Sequence, residues 1–309
     1  MNAPLLALRA RVWFAAGRDS CCYNDDMRVF LLGNGGKAGV PEAAAALLPR
    51  LRAVCDVAVF DLAQREDLSK HQADVALVLG GDGAILRAAR QMGYHQVPVL
   101  GINLGKLGFL ADLDPEDVRT LLPRIVRREY RVTQHLMFEC VVESPEGTRT
   151  ILGLNDVVVH TGPPFHLMEI DLLIDDELVS SISGDGLILS TPIGSTAHNL
   201  SAGGPILHQE ARAFVVTPIC PHILANRSLV DRADKVYKIQ VRRGTNGNTL
   251  IVDGQELLPL RPGHRITVRE APVNFQLVKV PGRSYYQTLR DKLHWGAPPH
   301  YRREPEDRT

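Results

Sequence analysis

The segment best equipped for chemistry is Asp74-Val-Ala-Leu-Val-Leu-Gly-Gly-Asp-Gly83, followed by the helical run Ala84-Ile-Leu-Arg-Ala-Ala-Arg90. An apolar strand that ends in three glycines around one carboxylate, just before a helix, turns backbone N–H groups toward an anion where the helix dipole also favours negative charge. Such a turn, with Gly80, Gly81 and Gly83, can hold phosphate. Asp82 stands at the carboxyl end of the strand, where open α/β sheets place their ligands. Next to a phosphate its charge is repulsive unless it holds Mg²⁺, accepts a proton from an attacking hydroxyl or fixes a ribose. The plain alternative is a helix cap.

Three other segments carry polar groups at telling places. Gly33-Asn-Gly-Gly-Lys-Ala38 follows the first apolar run and fits G-x-G-x-x-A, with Asp61 at the end of the next run. That pattern resembles the fingerprint of a nicotinamide-dependent dehydrogenase, but Pro41 takes the loop off the helix N-terminus. A Walker A loop fails as well, because Lys37 is followed by Ala38 and Leu31 stands where the leading glycine is required. Gly35 and Gly36 remain candidates for contact with a phosphate donor. The long stretch Gly184-Asp-Gly-Leu-Ile-Leu-Ser-Thr-Pro-Ile-Gly-Ser-Thr-Ala-His-Asn-Leu-Ser-Ala-Gly-Gly-Pro205 reads as a binding surface of exposed hydroxyls and N–H groups. Asn155 and Asp156 head an apolar strand, and adjacent strand residues reach one ligand only where the strand bends or bulges. His160, His166 and His198 do not sit at metal-ligand spacings.

The elements that must position these residues fall into two textures. Short apolar runs at 28–33, 57–62, 74–79 and 97–102 alternate with helical stretches at 41–53, 84–93 and 115–128, which predicts an α/β domain with a parallel sheet over residues 27–134. β-type runs then follow at 136–143, 151–160, 167–174, 186–191, 213–219, 236–242, 248–252, 265–269 and 274–280, with 195–202 alone helical. These predict a mainly β domain over 135–280, and 281–295 reads as a helix returning to the first domain. Residues 1–26 read as an N-terminal extension, or as sequence upstream of a natural start at Met27, and the Pro-rich 296–309 as a disordered tail.

Lys plus Arg and Asp plus Glu both count 35, so the chain has no broad electrostatic footprint for nucleic acid or an anionic membrane. No apolar run nears the roughly 18 residues of a membrane span. A soluble, cytoplasmic protein is expected. Five scattered cysteines predict buried, reduced thiols rather than a disulfide framework.

Taken in order, Gly80-Gly-Asp-Gly83, Asn103-Leu-Gly-Lys-Leu-Gly-Phe-Leu110, Leu154-Asn-Asp156, the 184–206 segment and Val252-Asp-Gly-Gln255 resemble the NAD kinase family, from about Met27 to about Trp295. The glycine-flanked aspartate alone is shared with lipid and sugar kinases; the Asn-Asp pair and the long Ser/Thr/Gly segment are not. The resemblance implies phosphorylation of the adenosine-ribose 2′-hydroxyl of NAD, with ATP or polyphosphate as donor and Mg²⁺ travelling with the nucleotide. It implies a homo-oligomer, dimer or tetramer, whose neighbouring subunit completes the site. Asp82 would be the proton acceptor, with Gly83 beside it. Asn155, Asp156 and His166 would hold NAD, Asp185 would reach it from the facing protomer, and Thr196, Ala197, His198, Asn199, Leu200 and Ser201 would line its pockets. Asn226 and Gln255 stand at weaker contact positions. Against the family pattern, Ala84 replaces a frequent Thr, Ile193 a Thr or Ser, His198 a Tyr, and Ser183 an Arg or Lys. The competing readings are another kinase of this motif, acting on a lipid or sugar, and an NAD-binding sensor without catalysis.

Overall fold

A computed structural model describes residues 27–105, 108–111, 113–223, 225–261, 263–279 and 284–293. The expected extension 1–26 and tail 296–309 lie outside the described residues, as do 294–295 of the expected last helix. The first part of the chain runs β1 (Arg28–Gly33), α1 (Val40–Arg52), β2 (Asp56–Asp61), β3 (Val75–Leu79), α2 (Asp82–Met92), β4 (Val99–Ile102) and α3 (Pro115–Val126). Local chemistry explains the helices. Pro41 opens α1, with Glu42 in its first turn and Arg50 and Arg52 in its last, matching the helix dipole. Asp114 caps α3 through a capping box with Asp117.

β1 to β4 pair in parallel in the order β2-β1-β3-β4. Alternate residues of the central strands face opposite layers: Phe30, Leu32, Ala76 and Val78 pack with Ile85, Ala88 and Met92 of α2. Val29, Leu31, Val75 and Leu77 pack with Leu47 and Leu51 of α1 and Val118 and Leu122 of α3. Strands covered on both faces read as continuous apolar runs, which is why this half is plain in the sequence.

The remainder is mainly β: β5 (Arg131–Ser144), β6 (Gly147–Gly153), β7 (Asp156–His160), β8 (Met168–Ile174), β9 (Glu177–Gly184), β10 (Gly186–Ser190), the short α4 (His198–Ser201), β11 (Ala213–Ile219), β12 (Leu229–Arg232), β13 (Tyr237–Arg243), β14 (Thr249–Val252), β15 (Glu256–Pro259), β16 (Arg265–Lys279) and finally α5 (Tyr285–Leu293). β12-β11-β10-β7-β14-β15 form a separate antiparallel sheet. The other strands extend the first sheet through β16, which meets β4 in parallel at Leu277 and Val99 and runs antiparallel to β5. A core of Phe138, Val157, Leu187, Phe214, Tyr237 and Val268 fills the space between the two sheets.

Several elements differ from the sequence-based expectation. The run 151–160 is two strands, β6 in one sheet and β7 in the other, with a corner at Leu154-Asn155. The runs 265–269 and 274–280 belong to one strand, whose register shifts between Glu270 and Asn274. The helix expected over 195–202 is a 3₁₀ turn at Gly194–Thr196 followed by α4, with the break at Ala197. Cys55 and Cys140 are buried thiols, whereas Cys220 is exposed, contrary to the uniform burial expected. Among the described residues no helix is long and apolar enough to cross a membrane.

Candidate active site

Asp82 is the first residue of α2, one step beyond the end of the β3 turn. Its carboxylate accepts three backbone N–H groups: Phe109 at 2.8 Å on Oδ2, and Leu110 at 3.0 Å and Ala111 at 3.3 Å on Oδ1. A carboxylate has about four acceptor positions, so one remains, on Oδ2. The loop thus aims the group and leaves it a single free lone pair. Gly108 makes this approach possible: a Cβ there would lie 2.1 Å from Asp82 Oδ1. Gly80 enters the turn at φ +133, a conformation that L side chains rarely adopt.

In front of the turn lies a cleft of about 780 Å³, lined by Gly80, Gly81, Gly83, Lys37, Arg87 and Asn103 among others. Gly35 and Gly36 do not line it. Their N–H groups are already used, by Leu62 O at 2.8 Å and Asn34 Oδ1 at 3.0 Å, and the flanking Asn34, Lys37 and Ala38 form the wall instead. Lys37 and Arg87 are exposed cations with no carboxylate partner among the described residues. Sequence reasoning passed over both as anion contacts. Arg87 had a readable signal, since it lies four residues beyond Gly83 on the same helix face. Ala84, the position without the expected hydroxyl, also faces this cleft.

The second half of the site is the corner between β6 and β7. Thr191 Oγ1 donates to Leu154 O at 2.6 Å and Thr191 N to Asn155 O at 2.9 Å, which fastens the corner to the end of β10. The corner also shares one apolar cluster with the Asp82 region: Leu152, Leu154 and Ile193 pack with Ile85, Leu110 and Ala111. The corner that carries Asn155 and Asp156 therefore packs on the same cluster as the Asp82 helix and the 109–111 loop. Asn155 Oδ1 is buried without a protein partner, an acceptor left for another molecule.

Asp156, 4% exposed, lies beside Asp253. The Asp253 carboxylate accepts N–H groups from Leu154 at 2.9 Å, Asn155 at 2.7 Å and Asp156 at 3.2 Å. Burial pushes the Asp156 carboxyl up to about 7, and the Asp253 charge adds to this. Burial also raises Asp253, against the pull of its three N–H donors. The three N–H donors favour the ionised form of Asp253, and no such donor favours that of Asp156, so of the two it is Asp156 that burial holds protonated. In the sequence Asp253 shows only as part of the Val252-Asp-Gly-Gln255 motif, because its partners lie about a hundred residues away.

The remaining predicted residues spread along the β7–β10 pair. Asp156 lies opposite Ser190, while His160 lies opposite Gly186. The exposed His166 and the half-buried Asp185 gather at that far end, about 13 Å along the strands by the usual rise per residue. Thr161 Oγ1 donates to His166 O at 3.0 Å and Thr161 N to Asp185 O at 2.8 Å. Thr196, Ala197 and Leu200 are half-buried and Ser201 and His198 exposed. Burial, and then His160, lowers the His198 pKa.

Asn199 requires correction as a ligand contact. It is fully buried; Nδ2 donates to Ser195 O at 3.0 Å and Pro205 O at 2.9 Å, and Oδ1 accepts from Thr217 Oγ1 at 2.6 Å. Its amide braces the loop from inside. Gln255 faces the cleft before Gly80 and Gly81 rather than the β7 corner: Nε2 donates to Gly83 O at 3.2 Å and Oε1 accepts from Arg90 Nη2 at 2.5 Å. Asn226 Nδ2, like Asn155 Oδ1, is buried without a partner.

A glycine turn open to phosphate on one side of an aimed carboxylate, and a polar corner for a second molecule on the other, is the layout of a phosphotransferase. Comparison with known proteins specifies which. Residues 41–130 match the ATP-NAD kinase N-terminal domain and residues 154–280 the ATP-NAD kinase C-terminal domain. An NAD kinase of Rhodopirellula baltica is 42% identical over 280 residues, 90% of each chain. One of Carboxydothermus hydrogenoformans is 41% identical over 228 residues, covering 74% of this chain and 81% of that one. Among solved structures, yeast NADH kinase complexed with NADH superposes with a TM-score of 0.81 at 24% identity, over 89% of both chains. An NAD kinase from Archaeoglobus fulgidus in complex with ATP gives 0.71 at 25% identity, over 87% of this chain and 99% of that one. The chain belongs to the NAD kinase family. Its reaction is the phosphorylation of NAD to NADP, and nothing supports the lipid-kinase, sugar-kinase or sensor readings.

Proposed function

We propose that the donor is ATP, lying in the cleft before Gly80 and Gly81, and that Asp82 takes the proton of the adenosine-ribose 2′-hydroxyl as that oxygen attacks the terminal phosphorus. The observation that carries this reading is the Asp82 carboxylate, locked by three N–H groups with one lone pair unused, between Gly81 and Gly83 of the cleft wall and on a helix that shares an apolar cluster with Leu154. Family membership and the ATP complex of the Archaeoglobus relative support the donor; the cleft volume and the free Lys37 and Arg87 suit a polyphosphate chain of a nucleotide. A ribose hydroxyl is a weak acid, so its proton leaves late and alignment supplies most of the acceleration. Asn155 and Asp156 would hold the NAD ribose, with protonated Asp156 able to donate as well as accept.

A divalent cation, in this reading Mg²⁺, arrives with the donor and neutralises phosphate charge. Among the described residues no three His, Cys, Asp or Glu side chains converge, and Asp82 has given three acceptor positions to N–H groups. The described residues do not form a cation cage. Residues 27–134 serve in this reading as the donor half and 135–280 as the NAD half. The last helix reaches back to the Asp82 loop, with Lys292 Nζ 4.4 Å from the centre of the Phe109 ring. His166 and Asp185, distant from Asp156, and the exposed Phe165 and Leu167 beside them support completion of the site by a second copy in a homo-oligomer.

The test is Asp82→Asn, which keeps the shape and removes the base. NADP formation, followed with a coupled NADP-specific dehydrogenase, should lose about 10²–10⁴-fold in kcat with KM for NAD little changed. Near-normal turnover would overturn the assignment. Replacing ATP by polyphosphate in the same assay tests the donor.

A further inference from the structure

One short turn touches both halves of the site. Asp253 closes β14 and binds the three N–H groups of Leu154, Asn155 and Asp156, the whole corner proposed to hold NAD. Two residues later, Gln255 binds Gly83 O, in the first turn of the helix that carries Asp82, and Arg90 Nη2 on the same helix. Glu256 then pairs with Arg90 at 3.3 Å and with Arg149 of β6 at 2.9 Å. Asp253 and Gly254 both take positive φ, 51 and 65, so the chain doubles back tightly between these contacts. None of these partners is near the turn in sequence.

We infer that the turn Asp253–Glu256 is a positioning bracket for phosphoryl transfer: it sets the spacing between the Asp82 helix and the Asn155–Asp156 corner, with Asp253 acting through the corner and Gln255 through the helix. The inference rests on the assignment of Asp82 and of the corner given above. Its physical basis is that transfer needs the hydroxyl oxygen and the phosphorus within near-attack distance, where a displacement of about 1 Å can cost about 10²-fold in rate. The shared apolar cluster holds the two halves together without direction, and directional polar contacts across them fix their spacing. Asp253 is buried and does not line the cleft, so it is a positioning residue and not a catalytic one. Gln255 forms part of the cleft wall, and its amide is engaged at both ends by the protein.

The signature of a bracket is a fall in kcat that exceeds any rise in KM for ATP, in a protein that remains folded. Asp253→Asn leaves an acceptor for part of the corner and removes the charge; kcat should fall about 10–100-fold, with KM for ATP within about twofold. Gln255→Glu keeps the Arg90 contact and loses the donor to Gly83 O; kcat should fall about 3–10-fold. The double variant should lose less than the product of the two single losses, because either change already frees the bracket. Folding is checked by circular dichroism and thermal melting. If Asp253→Asn does not fold, the decision passes to Gln255→Glu, which lies at the surface of the cleft. Folded variants with kcat within twofold of wild type, or with losses that multiply independently, overturn the inference. Failure of the underlying reading is seen separately, as retained turnover in Asp82→Asn.

Discussion

The two sides of the site handle polarity in opposite ways. On the donor side, glycines, Lys37 and Arg87 face an open cleft, and no buried charge is present among the residues that line it. On the acceptor side, Asp156 and Asp253 are both buried, burial raises both carboxyl pKa values, and Asn155 keeps an unpaired buried oxygen. A highly charged donor is best met by solvated cations and backbone N–H groups, which cost little to leave empty. A hydroxylated acceptor is best selected by buried polar groups, because a wrong ligand leaves them unpaired. Asp82 sits at the seam and takes its orientation from neither side, but from the 109–111 backbone.

The sharpest way to break this contrast is at the seam. Gly108→Ala places a methyl 2.1 Å from Asp82 Oδ1, so the carboxylate must move. We expect kcat to fall by about 10²-fold or more with both KM values changed much less, measured by steady-state kinetics. Retention of kcat would mean that the aim of Asp82 does not matter to the reaction.

The next effect belongs to the acceptor side alone. The Asp156 carboxyl, pushed up to about 7, stays protonated in the folded chain while it ionises near 4 when unfolded. The folded state then binds more protons, so stability falls as pH rises from about 4 and the loss is complete above about 7, on the order of 4 kcal/mol. Asp156→Asn should flatten that dependence, melt higher than wild type above pH 7, and raise KM for NAD. Thermal melting across pH 4 to 8 gives the answer; parallel curves for the two proteins would remove the proton from Asp156.

The smallest effects should come from the donor side. Lys37→Ala and Arg87→Ala each remove one exposed cation, and we expect KM for ATP to rise about 3–10-fold, more at low salt, with stability unchanged within about 0.5 kcal/mol. A rise in KM for NAD instead would place these cations on the other substrate.

Much of this was readable before any fold was known, and the reason is locality. The strand, the glycine turn and Asp82 are consecutive, and so are the Pro-led starts of α1 and α3 and the Asp114 cap of α3. The strands β9, β12 and β15 were invisible as separate strands. All three lie at sheet edges with largely exposed residues, so they carry little apolar pattern. Within the site, Asn199 reads as polar and near a binding loop; only the packing of Thr217, Ser195 and Pro205 around it shows that its amide is spent.

By itself, then, the amino-acid order determined the family, the α/β and β halves, and the glycine turn with its carboxylate, since each of these is written in short contiguous patterns. Tertiary structure alone decided that β16 joins the two halves in one sheet, that the 151–160 run breaks at Asn155, and that Asp253 and Gln255 tie the corner to the Asp82 helix. Those ties join residues 98 and 172 positions apart, and no local pattern encodes a hydrogen bond between groups that meet only when the chain has closed.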